Sequence, residues 1–307
     1  MTTPFRMLMI SAMYENGGNT THRFLDGHPE LYVYPFESQL GTRHVSDHMS
    51  SLFPVKYRWP VFQLDADPER DYRDIIDEEC KVRARTPHVS KFRNAAFDFS
   101  DDARQRAYEA YVGDLGRSRA ANVEAFFRAT FDVWSNYAKT GNESVYVGYS
   151  PIIAVDGDKI LADIPDAHIL HVVRNPWSAY ADTKKRPVPM SLEKYITTWN
   201  FCQHAALLYR KKFPARFHVV RIEDVLENSK DTLGAICEAI GVTPADSLNH
   251  VSWNGEELDE VYPWGTIRKA NSEVNRATAE ELDASEVEEI RLRAWQYLKE
   301  FDYANFI

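Results

Sequence analysis

The feature that most constrains this chain is a short apolar run that ends in glycines. Met7-Leu8-Met9-Ile10-Ser11-Ala12-Met13 is almost continuously apolar, and Glu15-Asn16-Gly17-Gly18-Asn19 breaks it. A run of that length bounded by turn residues fits a strand buried on both faces, as in a parallel sheet. Thr20 and Thr21 follow, and the apolar pair Phe24 and Leu25 returns on a segment read as a helix. Strand, glycine loop and helix together hold anions: glycines let the backbone approach closely, and the helix's first N–H groups point at the ligand. An ordinary strand-to-helix turn that contains glycines has the same pattern. The nucleoside-triphosphate P-loop motif is absent, since no Gly-Lys-Ser/Thr follows the glycines.

A second strand is expected over Leu31–Glu37, where aromatic and β-branched residues dominate and Pro35 marks an edge or an end. Glu37 then stands near the carboxyl end of a strand, the place where ligands gather in open parallel sheets. From Ser144 onward strands are predicted over 145–149, 168–173 and 217–221. Helices are predicted over 159–164, 177–185, 192–212 and 230–240. This alternation predicts an α/β fold, one domain over residues 1–307, with a central parallel sheet flanked by helices.

Residues from about 40 to 140 read as an insertion of helix and loop after the second strand. Helices are expected over 101–115 and 118–138, the latter with an apolar stripe through Val123, Phe126, Phe127, Thr130, Phe131 and Trp134. The aromatic and Pro residues between Phe53 and Phe62 suit a packed loop that walls a pocket. His44, Asp47 and His48 lie close together, and a solvated loop is the expected setting, because no further ligand cluster follows at metal spacing. The tail from Val261 to Ala277 is expected to be a polar loop carrying Arg268 and Lys269, with a last helix from about Ala279 to Phe301.

The formal charge of −10 argues against nucleic acid or an anionic membrane as a general partner. Cys80, Cys202 and Cys237 are far apart and odd in number, which fits a reducing compartment. No apolar run reaches the roughly 18 residues needed to span a bilayer. The opening apolar run leads into Asn and Gly, not a cleavage site for a signal peptide. A cytoplasmic protein without a metal is the expectation.

Several pieces in order resemble the sulfotransferases that use 3′-phosphoadenosine-5′-phosphosulfate, PAPS. The glycine loop and the segment ending His28-Pro29-Glu30-Leu31 look like that family's 5′-phosphosulfate loop and helix. The run from Pro165 to Pro176, ending Val172-Val173-Arg174-Asn175-Pro176, looks like its 3′-phosphate strand. Phe217-His218-Val219-Val220-Arg221-Ile222-Glu223-Asp224 is similar to a later strand with an Arg-x-Glu-Asp ending, and the helix carrying Trp199 falls between the two. The resemblance covers residues 5 to 40 and about 120 to 305, and it implies a P-loop-like sulfotransferase architecture of the carbohydrate- and protein-type branch.

It also implies an activity: transfer of a sulfuryl group from PAPS to a hydroxyl or amine of a small-molecule or carbohydrate acceptor. Asn16, Gly17, Gly18, Asn19, Thr20 and Thr21 would cradle the 5′ end. Arg174, with Asp182 or Thr183, would meet the 3′-phosphate, and Arg268 and Lys269 would close over the nucleotide. The resemblance makes Glu37 the general base, with His22 as a second candidate, while His28 packs at the helix end. Three positions depart from the family's pattern. Glu15 stands where a Lys or Arg is usual, and Asp182 stands at the family's serine. Gly148-Tyr149-Ser150-Pro151 stands where Lys-Thr-Pro is common. Two other readings remain open: a non-catalytic nucleotide-binding descendant, and a phosphotransferase on the same scaffold.

Overall fold

The computed structural model describes residues 4–65, 67–259 and 272–307. In chain order it forms β1 (Met7–Ala12), α1 (Gly18–Leu25), β2 (Leu31–Val33), α2 (Pro68–Asp74), α3 (Glu78–Arg85), α4 (Asp101–Leu115) and α5 (Arg119–Val133). Then come β3 (Val145–Tyr149), α6 (Gly157–Asp163), β4 (Ala167–Val173), α7 (Pro176–Lys184), α8 (Leu192–Lys212) and β5 (Phe217–Arg221). The chain continues through α9 (Ile222–Glu227), α10 (Ser229–Ala239), a small hairpin of β6 (Ser252–Trp253) and β7 (Glu256–Glu257), α11 (Ser272–Ala279) and α12 (Ala284–Glu300).

The five main strands pair in the order β2-β3-β1-β4-β5, all parallel. β1 is central and fully buried, which explains its unbroken apolar sequence: helices cover both faces of the sheet. Alternate side chains divide between the faces. Met7 and Met9 pack with Phe126 and Phe127 of α5. Leu8, Ile10 and Ala12 pack with Leu25 of α1 and Leu233 of α10. A third cluster joins α7, α8 and α12 through Trp177, Trp199 and Leu298. Because the strands run the same way, the segments after β1, β2, β3 and β4 emerge at one edge.

The insertion is tied to the sheet by buried charge. Arg104 of α4 is fully buried and donates to Asp77 Oδ2 at 2.6 Å, Asp101 Oδ1 at 3.0 Å and the Tyr72 hydroxyl at 2.7 Å. Asp77 also accepts from the Tyr34 hydroxyl at 2.6 Å, just beyond β2. Arg58, 1% exposed, grips Asp156 at 2.6 and 2.8 Å and Asp47 at 3.0 and 3.1 Å. These bonds fix the segments carrying residues 57 and 79 against the carboxyl edge of the sheet.

Three boundaries differ from expectation. β2 stops at Val33, so Glu37 lies in the following loop, where Tyr34 turns toward Asp77 instead of extending the ladder. α5 stops at Val133, and Trp134 packs beyond it against Phe97. In the tail, residues 260–271 lie outside those described, and the residues after them form two helices where the end of a loop and one helix were expected. α12 begins at a capping box in which Asp283 accepts from Glu286 N at 2.9 Å and Glu286 accepts from Asp283 N at 3.2 Å. α11 precedes it, over residues expected to be loop.

Candidate active site

The glycine loop is shaped by packing as much as by any ligand. Gly17, the N-cap of α1, has φ +86°, a conformation that L side chains adopt with strain. A Cβ there would stand 2.6 Å from Ile222 Cδ1, and one on Gly18 would stand 2.8 Å from Ala12 Cβ and press into the Tyr149 ring. Both glycines thus let α1 seat directly over β1, β3 and α9. Its first turn opens toward a solvent-open cleft with Gly17, Gly18 and Asn19 on its wall.

Other predicted loop residues serve the loop's own structure. Asn16 is fully buried. Its Oδ1 accepts from Arg174 N at 3.1 Å and Trp199 Nε1 at 3.2 Å, and its Nδ2 donates to Tyr14 O at 2.8 Å. Thr20 and Thr21 are buried, and the Thr21 hydroxyl donates to Gly17 O at 3.1 Å. His22 is fully buried and does not line the cleft. Burial and the adjacent Arg23 charge push its imidazole well below the ordinary range. Arg23 is also buried; it donates to Pro35 O at 3.0 Å and lies 5.0 Å from the Trp253 ring centre. His28 accepts from Glu30 N at 3.1 Å and sits 3.1 Å from Thr243 O, at the end of α1.

Glu15 faces the cleft with φ +58°. Its cationic neighbour is Arg186, whose Nε is 3.7 Å from Oε1 and whose guanidinium lies 5.1 Å from the Tyr14 ring centre. Burial pushes the Glu15 carboxyl upward, Arg186 opposes the rise, and Asp182 adds to it.

Glu37 lies on the same wall, beside a carboxylate that sequence reasoning did not find. Glu37 N donates to Glu79 Oε2 at 3.2 Å, and Glu37 Oε2 accepts from Gln39 Nε2 at 3.3 Å. Gln39 Oε1 in turn accepts from Glu78 N at 2.8 Å, which clamps the start of α3 to the loop after β2. Glu79 is ion-paired with Lys91. Its carboxyl is pushed up to about 7, first by burial and second by the charge of Glu37. The Tyr57 hydroxyl hydrogen-bonds Glu37, and burial with that negative charge raises its ionisation well above the phenolic range. Tyr14, Phe36, Phe92 and Tyr149 supply apolar walls.

Arg174 follows β4 and lies close beside the glycine loop. Nη1 donates to Glu15 O at 2.9 Å and Asp182 Oδ2 at 2.8 Å, and Nε donates to Asn275 Oδ1 at 2.7 Å. The Thr183 hydroxyl is buried and donates to Ala179 O at 2.7 Å within α7. It is therefore turned into its own helix and not toward Arg174. Arg268 and Lys269 lie outside the described residues. His44 pairs with Asp74 at 2.7 Å, Asp47 with Arg58 and Lys159, and His48 is exposed. Among the described residues no group of three His, Cys, Asp or Glu is placed to hold a metal ion, and no helix is long and apolar enough to cross a membrane.

The structure thus brings together the loop glycines, Asn19, Glu37 and Glu15 on one cleft, with Arg174 next to Glu15. It places His22, Asn16 and Thr21 behind that surface. Of the residues missed, Arg186 had a signal, as the end of the run Lys184-Lys185-Arg186 after a helix. Tyr57 falls in the aromatic segment from Phe53 to Phe62 expected to wall a pocket, whereas Glu79 and Lys91 had no signal, because long-range packing of the insertion puts them there.

The sequence profile described as the sulfotransferase family matches residues 12–246. The chain belongs to the sulfotransferase family. That span includes the glycine loop, Glu37, Arg174 and Asp182. Among solved structures this sulfotransferase-family chain is similar to the sulfotransferase domain from the Synechococcus PCC 7002 olefin synthase. That match has 16% identity, covers 99% of this chain and 96% of that one, and has a TM-score of 0.57. A sulfotransferase domain from the curacin biosynthetic pathway matches at 13% identity, over 96% and 98% of the two chains, with a TM-score of 0.55. These likenesses bear on fold: the α/β architecture with a central five-stranded parallel sheet is that of sulfotransferases. No curated protein matches the chain.

Proposed function

We propose that this protein transfers a sulfuryl group from an adenosine phosphosulfate donor, PAPS in the family it belongs to, to a hydroxyl or amine of a small-molecule or carbohydrate acceptor. The observation that carries the reading is the placement of Glu37 on the same cleft wall as the first turn of α1. The donor supplies an activated sulfur bonded to a phosphate that leaves readily. The backbone at Gly17, Gly18 and Asn19, at the positive end of α1, would hold the phosphosulfate end.

Glu37 would take the proton of the acceptor as its oxygen or nitrogen bonds to sulfur. The bond from sulfur to the 5′-phosphate oxygen breaks, and its electron pair stays with the phosphate. Tyr57 and Gln39 hold the Glu37 carboxylate from two sides, which limits its rotation at no further cost when the acceptor arrives. The wall of Tyr57, Glu79, Lys91 and Phe92 from the insertion meets the acceptor, and its rings favour one that is partly apolar.

Calorimetry with adenosine 3′,5′-bisphosphate tests the donor half. Wild-type protein binds below millimolar, and Asn19→Asp weakens binding. A carboxylate in the first turn of α1 favours the helix while opposing an anion there, by ~1–4 kcal/mol at about 4 Å. Transfer from labelled PAPS to a panel of alcohols and amines tests the base. Glu37→Gln keeps nucleotide affinity and loses roughly 10²–10⁴ in rate. Failure of the wild type to bind any adenine nucleotide, or full transfer by Glu37→Gln, refutes the assignment.

A further inference from the structure

Arg174 is the guanidinium expected to receive the donor's second phosphate, and it already has an anion. Asp182 Oδ2 accepts from Nη1 at 2.8 Å, and Lys185 Nζ holds the other oxygen of Asp182 at 3.3 Å. Among the described residues, the other hydrogen-bond partners of the guanidinium also accept. Asn275 Oδ1 accepts from Nε at 2.7 Å, and it cannot turn its amide inward without losing the bond from its Nδ2 to Glu223 Oε1 at 2.8 Å. The Glu15 carbonyl takes Nη1 at 2.9 Å. A phosphate needs donors, and the Thr183 hydroxyl, next to Asp182 in the chain, is spent on Ala179 O. The Arg174 side chain is 13% exposed and that of Asp182 27%, so their ion pair is partly shielded from solvent screening.

We infer that Asp182 stands in for the donor's 3′-phosphate, so that this site reads the 5′-phosphosulfate end and gives the 3′-phosphate little weight. This rests on the donor reading above and narrows it: adenosine 5′-phosphosulfate, which lacks the second phosphate, serves as donor beside PAPS. The step at sulfur is the same. The acceptor atom bonds to sulfur, the bond to the 5′-phosphate oxygen breaks, the proton passes to Glu37, and adenosine 5′-phosphate leaves with the bonding pair. A phosphate brought to Arg174 would have to displace Asp182 or lie beside its charge, so it adds little affinity.

The test is calorimetry of adenosine 5′-phosphate against adenosine 3′,5′-bisphosphate at one fixed ionic strength. For the wild type the two dissociation constants agree within about threefold. Asp182→Ser, which removes the internal anion and adds a hydroxyl, tightens the bisphosphate about tenfold or more and leaves adenosine 5′-phosphate within about threefold. Asp182→Asn moves the ratio the same way by a smaller factor. A wild-type preference for the bisphosphate of about tenfold or more overturns the inference and leaves the donor reading standing. So does a ratio unchanged in both variants. Silence of the wild type toward both nucleotides overturns the donor reading and this inference with it.

Discussion

Glu79 offers a quantitative check on the architecture of the cleft. Its carboxyl is raised from 4.5 to about 7 by burial and by the charge of Glu37, with Lys91 opposing. A rise of about 2.5 pH units, at ~1.4 kcal/mol each, is a preference of about 3 kcal/mol for the protonated form in the folded protein. The folded state therefore binds more protons than the unfolded chain between these two values. The stabilisation is fully present below pH 4.5, and it is lost as pH rises through about 7. Glu79→Gln keeps the shape and cannot ionise. Urea unfolding of both proteins at pH 5, 6, 7 and 8 gives the difference in stability at each pH. Glu79→Gln gains on the wild type by ~2–3 kcal/mol across that range, nearly all of it below pH 7.5. In a Glu37→Gln background the same gain shrinks, because the second cause of the shift is gone. Stability curves that stay parallel within about 0.5 kcal/mol, or converge toward alkaline pH, would refute the claim that burial and Glu37 load a proton onto Glu79.

Two further substitutions probe how the site is held. Gly17→Ala forces a side chain into a left-handed turn and against Ile222, and lowers stability by roughly 2–5 kcal/mol in denaturant titration; an unchanged midpoint contradicts the packing account of the loop. Arg104→Met leaves the fully buried Asp77 without its cation, and costs about 3–5 kcal/mol. Because Asp77 lies two residues before Glu79, surviving protein also loses acceptor turnover more than nucleotide affinity. A loss under about 1 kcal/mol would mean that the buried network does not anchor the insertion.

Much of the scaffold was legible because its signals are local. A strand covered on both faces must be largely apolar, so β1 announced itself, and the buried strands β3 and β4 did so in the same way, while the half-buried edge strand β5 showed as the short run Phe217-His218-Val219-Val220. Helix caps are also local: Asn175 accepts from Ser178 N at 2.9 Å with Pro176 following, and Ser118 accepts from Ala121 N at 3.0 Å. The loop glycines were legible as glycines, although the reason for them includes Ile222 and Tyr149, far along the chain. The tail was misread because α11 has only eight residues, too few for a periodic pattern to stand out from polar loop.

The site divides along the same physical line. Residue order alone placed Gly17, Gly18, Asn19 and Glu37 at the carboxyl edge, because each opens a helix or lies in the loop just after a strand, and parallel strands deliver such positions to one place. The resemblance to sulfotransferases flagged Glu15 and Asp182 as charges in unusual positions. It had no means of saying what those charges do. Arg186 beside Glu15, Asp182 on Arg174, and Glu79 under Glu37 are pairings between residues 8 to 171 positions apart. Contacts of that kind are set by how whole helices pack, not by local preference, so only the folded chain reveals that one acid carries a raised carboxyl and another occupies an arginine.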